Sequence, residues 1–353
     1  MTQKNSPIRT GLCAFGMSGR VFHAPFLHCL PQFELAAVVE RHQKKAEALY
    51  PEVRSYGSIE ELLADDTISL VVVNTPNVTH YEYVTAALNA GKDVLVEKPF
   101  TATVAQAEAL VALAREKQRF LCVYQNRRLD SDFQTVRQVL QQGYLGRLID
   151  IEIHYDRYRP QLNEIKKHKE KPEHGVGLIY DLGAHLVDEA IVLFGKPDAV
   201  FAVVQSHRPG SQVDDYMDVK LLYDQFTCSL KSSLLVKEPP AGYTLHGTMG
   251  SFIKSRADTQ EGELIKGVSP CTPQWGIEPE SEWGLLHYMT PEGEQIRKNY
   301  PSLPGRYPDF FVQLAAALQE GGPTPVALED SVLNIRIIEA AIQSSSRREV
   351  VRL

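Results

Sequence analysis

The sequence predicts an α/β domain built on a parallel, doubly wound sheet, followed by an α+β domain with a mostly antiparallel open sheet. Three observations carry this. The 353 residues, at roughly 150 per domain, suit about two domains; the N-terminal third alternates apolar runs with helix signals; and the later chain shows strand after strand with few helices between. Ile8 to Phe15, Leu35 to Val39, Leu70 to Val73 and Val94 to Val96 are runs without polar alternation, as strands covered on both faces require. Ser58 with Glu61 forms a helix-start pattern, Thr79 to Ala90 is apolar-periodic and closed by Gly91, and Thr103 with Gln106 opens a helix over Ala105 to Lys117. A last strand, Phe120 to Tyr124, brings the first domain to about residue 125.

Beyond a helix over Asp132 to Gln142, Ile149, Ile151, Ile153 and Tyr155 alternate with Asp150, Glu152, His154 and Asp156, the period of a strand with one buried face. Further strands are expected at Ala199 to His207, Met217 to Tyr223, Phe226 to Ser233 and Tyr243 to His246, with Gly247-Thr248-Met249-Gly250 as a hairpin turn. Two helices, about Asp309 to Leu318 and Leu328 to Ser344, close the chain. The expected domains are therefore 1–125 and 126–353.

Lys and Arg total 37 against 44 Asp and Glu, and the formal charge of −7 argues against broad attraction to nucleic acid or anionic lipid. The 43% hydrophobic and 23% charged residues are globular values. No apolar run approaches the roughly 18 residues of a membrane span, and Met1 to Thr10 has no signal-type segment, so a cytoplasmic protein is expected. Cys13, Cys29, Cys122, Cys228 and Cys271 are scattered with no Cys-x-x-Cys pair, and read mostly as buried inert thiols.

The first strand runs into Ala14-Phe15-Gly16-Met17-Ser18-Gly19, a Gly-x-Gly-x-x-Gly pattern with alanine at its first position. Gly16 would let backbone N–H groups approach a pyrophosphate, and Gly19 would let the next helix pack against the strand. Alanine is tolerable there if its φ is negative. Glu40, at the end of the second strand, could accept from ribose hydroxyls and favour NAD; Arg41 could clamp a 2′-phosphate if Glu40 turned away, which keeps NADP open. Thr75-Pro76-Asn77 and Glu97-Lys98-Pro99 follow the fourth and fifth strands, the edge where such Rossmann sheets bind ligands. Phe15, Met17, Arg20, His80 and Asn126 complete the expected cofactor-binding set.

Asp181, His185 and Asp188 recur at helical spacing on one face, a stripe expected to open onto a cavity or solvent. Imidazole suits removal of an alcohol proton near neutral pH, and a carboxylate one turn earlier can orient it. A satisfied histidine on a solvated face and a metal site with His174 are the alternatives; no metal is assigned. Arg128, Tyr155 and Arg157 are candidate substrate contacts, and Lys166-Lys167-His168-Lys169-Glu170-Lys171 reads as a solvated loop or lid.

Together, Gly16-Met17-Ser18-Gly19-Arg20 with His23-Ala24-Pro25, Glu97-Lys98-Pro99, and Asp181-Leu182-Gly183-Ala184-His185 with Asp188 resemble the Gfo/Idh/MocA family of NAD(P)-dependent oxidoreductases along essentially the whole chain. The resemblance implies catalytic roles for Lys98, Asp181 and His185 around the nicotinamide, a cis Lys98–Pro99 bond, and a homodimer or homotetramer. Gln125-Asn126-Arg127-Arg128-Leu129-Asp130 and Tyr155-Asp156-Arg157-Tyr158-Arg159-Pro160 are similar to the branch of NADP-dependent scyllo-inositol dehydrogenases, where an acidic residue at the position of Glu40 is uncommon. The implied activity is hydride transfer between nicotinamide and a secondary hydroxyl of a cyclic polyol or sugar. A sensor without turnover and an oxidoreductase with a non-dissociable cofactor are the competing expectations.

Overall fold

A computed structural model describes residues 6–162 and 170–353; most of the basic run beginning at Lys166 lies outside the described residues. The chain divides into two compact units, one of 1–126, 260–275 and 306–332 and the other of 127–259, 276–305 and 333–353. The first division falls beside the change of pattern in the sequence. Segments 260–275 and 306–332, expected in the second domain, instead group with the first.

The first unit carries β1 (Ile8–Leu12), β2 (Phe33–Val39), β3 (Arg54–Tyr56), β4 (Leu70–Val73), β5 (Asp93–Glu97) and β6 (Leu121–Tyr124). They form one parallel sheet in the order β3-β2-β1-β4-β5-β6. Val71, Val72, Val94, Leu95, Cys122 and Val123 are fully buried, as unalternating apolar runs demand. The order reverses between β1 and β4, the crevice where doubly wound sheets bind ligands. Ser58 Oγ accepts from Glu61 N and Thr103 Oγ1 from Gln106 N, so both helix starts form where the sequence places them. The return bonds reach one residue further back than a standard capping box, to Gly57 N and Ala102 N.

Segment 306–332 returns because its helix Tyr307–Glu320 is apolar on the face it buries. Phe311 stacks on Phe26 at 4.8 Å and Phe310 meets Tyr124 edge-on at 4.8 Å. Segment 260–275 is held by a disulfide between Cys29 and Cys271, which corrects the reading of these two cysteines as thiols. Their separation of 242 residues left no spacing signal. Cys13, Cys122 and Cys228 are buried thiols, and burial pushes the Cys13 and Cys228 groups far up.

The second unit holds β7 (Leu148–His154), β8 (Ala199–Gln205), β9 (Tyr216–Leu222), β10 (Thr227–Ser233), β11 (Tyr243–Gly247), β12 (Gly250–Lys254), β13 (Gly284–Met289), β14 (Gln295–Tyr300) and β15 (Val351–Arg352). Their order is β14-β13-β12-β11-β7-β10-β9-β8-β15, with β7 and β10 parallel and the other pairs antiparallel. Ile151 and Ile153 are buried, but Ile149 is 48% exposed. It lies where the β7–β11 register shifts, and the extra residue of a bulge breaks the alternation. No helix of the described residues is long and apolar enough to cross a membrane.

Candidate active site

A cavity of about 670 Å³ opens at the carboxyl ends of β1, β2 and β4, lined by Phe15, Gly16, Glu40, Arg41, Thr75 and Pro76 among others. The glycines behave as the pattern requires. A Cβ on Gly16 would meet open space, whereas one on Gly19 would lie 2.4 Å from Ala14 O and 2.9 Å from Asn74 Nδ2. Gln118 and Arg348 are the non-glycine residues with positive φ among those described, so Ala14 has the negative φ its side chain needs. Asn74, which sequence reasoning missed, holds the loop: its Oδ1 accepts from Ala14 N at 3.0 Å and its Nδ2 donates to Ala14 O at 2.8 Å. An amide ending the apolar run of β4 was its signal. Lys45 and Tyr83 also line the cavity and were missed. Glycines, helix start and cavity volume fit a dinucleotide.

Glu40 faces this cavity, but its oxygens serve the protein. Oε1 accepts from Lys45 N at 2.7 Å, and Oε2 from Ala46 N at 3.2 Å and Ser55 Oγ at 2.9 Å. Arg41 Nη2 donates to the Tyr83 hydroxyl at 2.6 Å.

Around the end of β5, Glu97 is a hub. Its Oε1 accepts from Ser18 Oγ at 2.5 Å and meets His23 Nε2 at 2.8 Å; its Oε2 accepts from Lys98 N at 3.3 Å. Burial pushes this carboxyl up, but the hydrogen bond and charge of His23, then Ser18 and Lys98, outweigh it and leave the group below the usual range. The glycine loop is thereby tied to the turn presenting Lys98, which is half-buried, with a cis bond to Pro99. His80 is fully buried, its ring nitrogens on Pro99 O at 2.9 Å and Thr75 O at 3.0 Å. It braces two site turns from behind rather than lining the cavity. Burial lowers its pKa against the pull of those carbonyls. Met17 and Arg20 are exposed, Asn77 half-buried and Asn126 buried, all outside the cavity lining.

In the second unit, Ile179–Gly183 forms a π turn that continues into the helix Ala184–Phe194. Such turns recur at functional sites. Asp181, inside the turn, is half-buried, and His185 is 4% exposed. The stripe does not open onto solvent at Asp188, because Arg128 closes it: Nε and Nη2 donate to its two oxygens at 2.8 and 2.7 Å. Tyr155 and Arg157 are brought together, the guanidinium 5.3 Å from the ring centroid, with Arg127 and Arg256 also against that ring. Arg256 pairs with Glu189 and Arg127 with Asp130.

A dinucleotide cavity on a doubly wound sheet, with a lysine at a strand end and an aspartate–histidine helix in the same chain, defines a nicotinamide-dependent oxidoreductase. The chain belongs to the Gfo/Idh/MocA oxidoreductase family. Residues 8–125 match its NAD-binding Rossmann fold and residues 137–353 its C-terminal alpha/beta domain. It is 34% identical to scyllo-inositol 2-dehydrogenase (NADP(+)) IolW of Bacillus subtilis, over 99% of this chain and 97% of that one. It is 37% identical to the oxidoreductase YdgJ of Escherichia coli, over 98% and 99%. A crystal structure of an oxidoreductase from Bacteroides fragilis superposes with a TM-score of 0.89 at 46% identity, covering 98% of this chain and 100% of that one. The protein is thus an NAD(P)-dependent oxidoreductase.

Proposed function

We propose that the protein is an NADP-preferring dehydrogenase of a secondary hydroxyl on a cyclic polyol or sugar. The observation that carries the cofactor choice is the commitment of Glu40 to Lys45 N, Ala46 N and Ser55 Oγ. A carboxylate that already accepts three protein hydrogen bonds has less capacity left for ribose hydroxyls, and Arg41 beside it on the cavity wall offers the guanidinium that suits a 2′-phosphate. The polyol class is supported by the likeness to IolW along both chains.

The nicotinamide, when bound, supplies the hydride acceptor; position and proton transfer belong to the chain. In this reading His185 takes the hydroxyl proton, Asp181 orients His185 or a neighbouring hydroxyl, and Lys98 supplies a cation that stabilises the charge developing on the substrate. Initial rates with inositol isomers and aldoses, each with NAD and NADP, test the reading; activity on none of them with either cofactor ends it. For the cofactor, Arg41→Ala is expected to raise KM for NADP by about 10-fold or more, since a charge-assisted hydrogen bond contributes about 1.5–3 kcal/mol. KM for NAD should change by less than about 2-fold. Equal changes for both cofactors would remove Arg41 from phosphate recognition.

A further inference from the structure

We propose that Asp214 is a positioning residue for this reaction, one that sets the turn bearing Asp181 and His185. The inference rests on the catalytic reading of that helix. Asp214 Oδ2 accepts from Ile179 N at 2.7 Å, and its main-chain oxygen accepts from Leu178 N at 3.0 Å, so the N–H groups of the first residue of the π turn and of the residue that caps it end on one residue. Three residues on, Met217 grips the other end: a Cβ on Gly183 would lie 2.8 Å from Met217 Sδ. A single strand entry therefore brackets the whole turn, with Asp181 at its middle and His185 two residues beyond.

The contact restricts the sequence twice. Gly177 has φ +116°, and a Cβ there would lie 1.9 Å from Asp214 Oδ1, so only glycine admits the carboxylate. The carboxylate also has no lysine or arginine partner among the described residues, whereas adjacent Asp215 binds Arg208 Nε and the N–H groups of His207 and Arg208. A neutral acceptor would satisfy Ile179 N without this charge. Burial pushes the Asp214 carboxyl up to about 6, the N–H groups of Ile179 and Leu178 oppose it, and the charge of Asp215 adds to it. Among the described residues, Tyr180 of the turn also faces this charge: burial pushes its hydroxyl up to about 12, with Glu339 and Asp214 adding to the rise.

Because burial raises this pKa, the closed turn favours the protonated carboxyl: the tie is kept below pH 6, and above it the turn holds a buried charge on the strength of its hydrogen bonds to N–H groups at the positive end of the helix. Asp214→Ala, Asp214→Asn and, as a separate control, His185→Ala are compared by steady-state kinetics from pH 5 to 9 and by NADPH binding. Asp214→Ala should lower kcat about 10-fold at pH 8 with the NADPH dissociation constant unchanged. Asp214→Asn, keeping an acceptor for Ile179 N, should stay within about 3-fold of wild type. Wild-type kcat in Asp214→Ala, or equal losses in both Asp214 variants, would overturn the proposal. Turnover surviving in His185→Ala would instead overturn the catalytic reading itself.

Discussion

Replacing Lys98 with methionine should lower kcat by about 10²-fold or more while leaving KM for NADP within about 3-fold. Methionine keeps the length and apolar stem of lysine, so packing around the turn is little disturbed. What is removed is an ammonium at the end of β5, on a turn tied through Glu97 to the glycine loop by Ser18 and His23. On the proposed reading, a turn held this firmly presents the charge with little rearrangement of its backbone as an alkoxide develops, and mutations of such donors typically lower kcat by ~10²–10³-fold. Lys98→Arg should recover little, because a planar fork cannot reproduce a compact point charge in the same space. Steady-state kinetics with NADP and a turned-over polyol decide it. A raised KM for NADP at unchanged kcat would make Lys98 a cofactor contact only.

The parallel sheet was legible because burial on both faces leaves unbroken apolar runs, and β1, β2, β4, β5 and β6 all fall within or beside them. β3 and β14 escaped for the converse reason. Both lie at a sheet edge, β3 with three residues and β14 with the mostly exposed run Gln295–Tyr300, so neither needs the pattern that reveals a covered strand. At the site, residues with a local constraint could be read: Gly19, where a Cβ would strike Ala14 O, and Pro99 announce theirs. Pairings could not. Glu40 with Lys45 N, Glu97 with His23 across 74 positions, and Asp214 with Ile179 N across 35 depend on where loops return. Arg128 shows this most clearly, since its spacing from Asp188 carries no local period.

The Arg128–Asp188 pair separates two roles that the sequence left together, and its removal should have the largest effect on stability. Both groups lie largely out of water, at 16% and 3% side-chain exposure. Asp188→Ala should cost about 3–5 kcal/mol, because it removes the bidentate acceptor of a largely buried guanidinium. Arg128→Met should cost a similar amount by removing both of those donors from a buried carboxylate. The double variant Arg128→Met with Asp188→Leu should be more stable than either single one, since the two charges are then removed together. Urea unfolding at pH 7.5, followed by far-UV circular dichroism, measures all four proteins. If Arg128 instead spends its charge on substrate, Arg128→Met will unfold like wild type and show a raised KM for the polyol. A loss of stability with a large coupling to Asp188 would assign it to holding the helix one turn beyond His185.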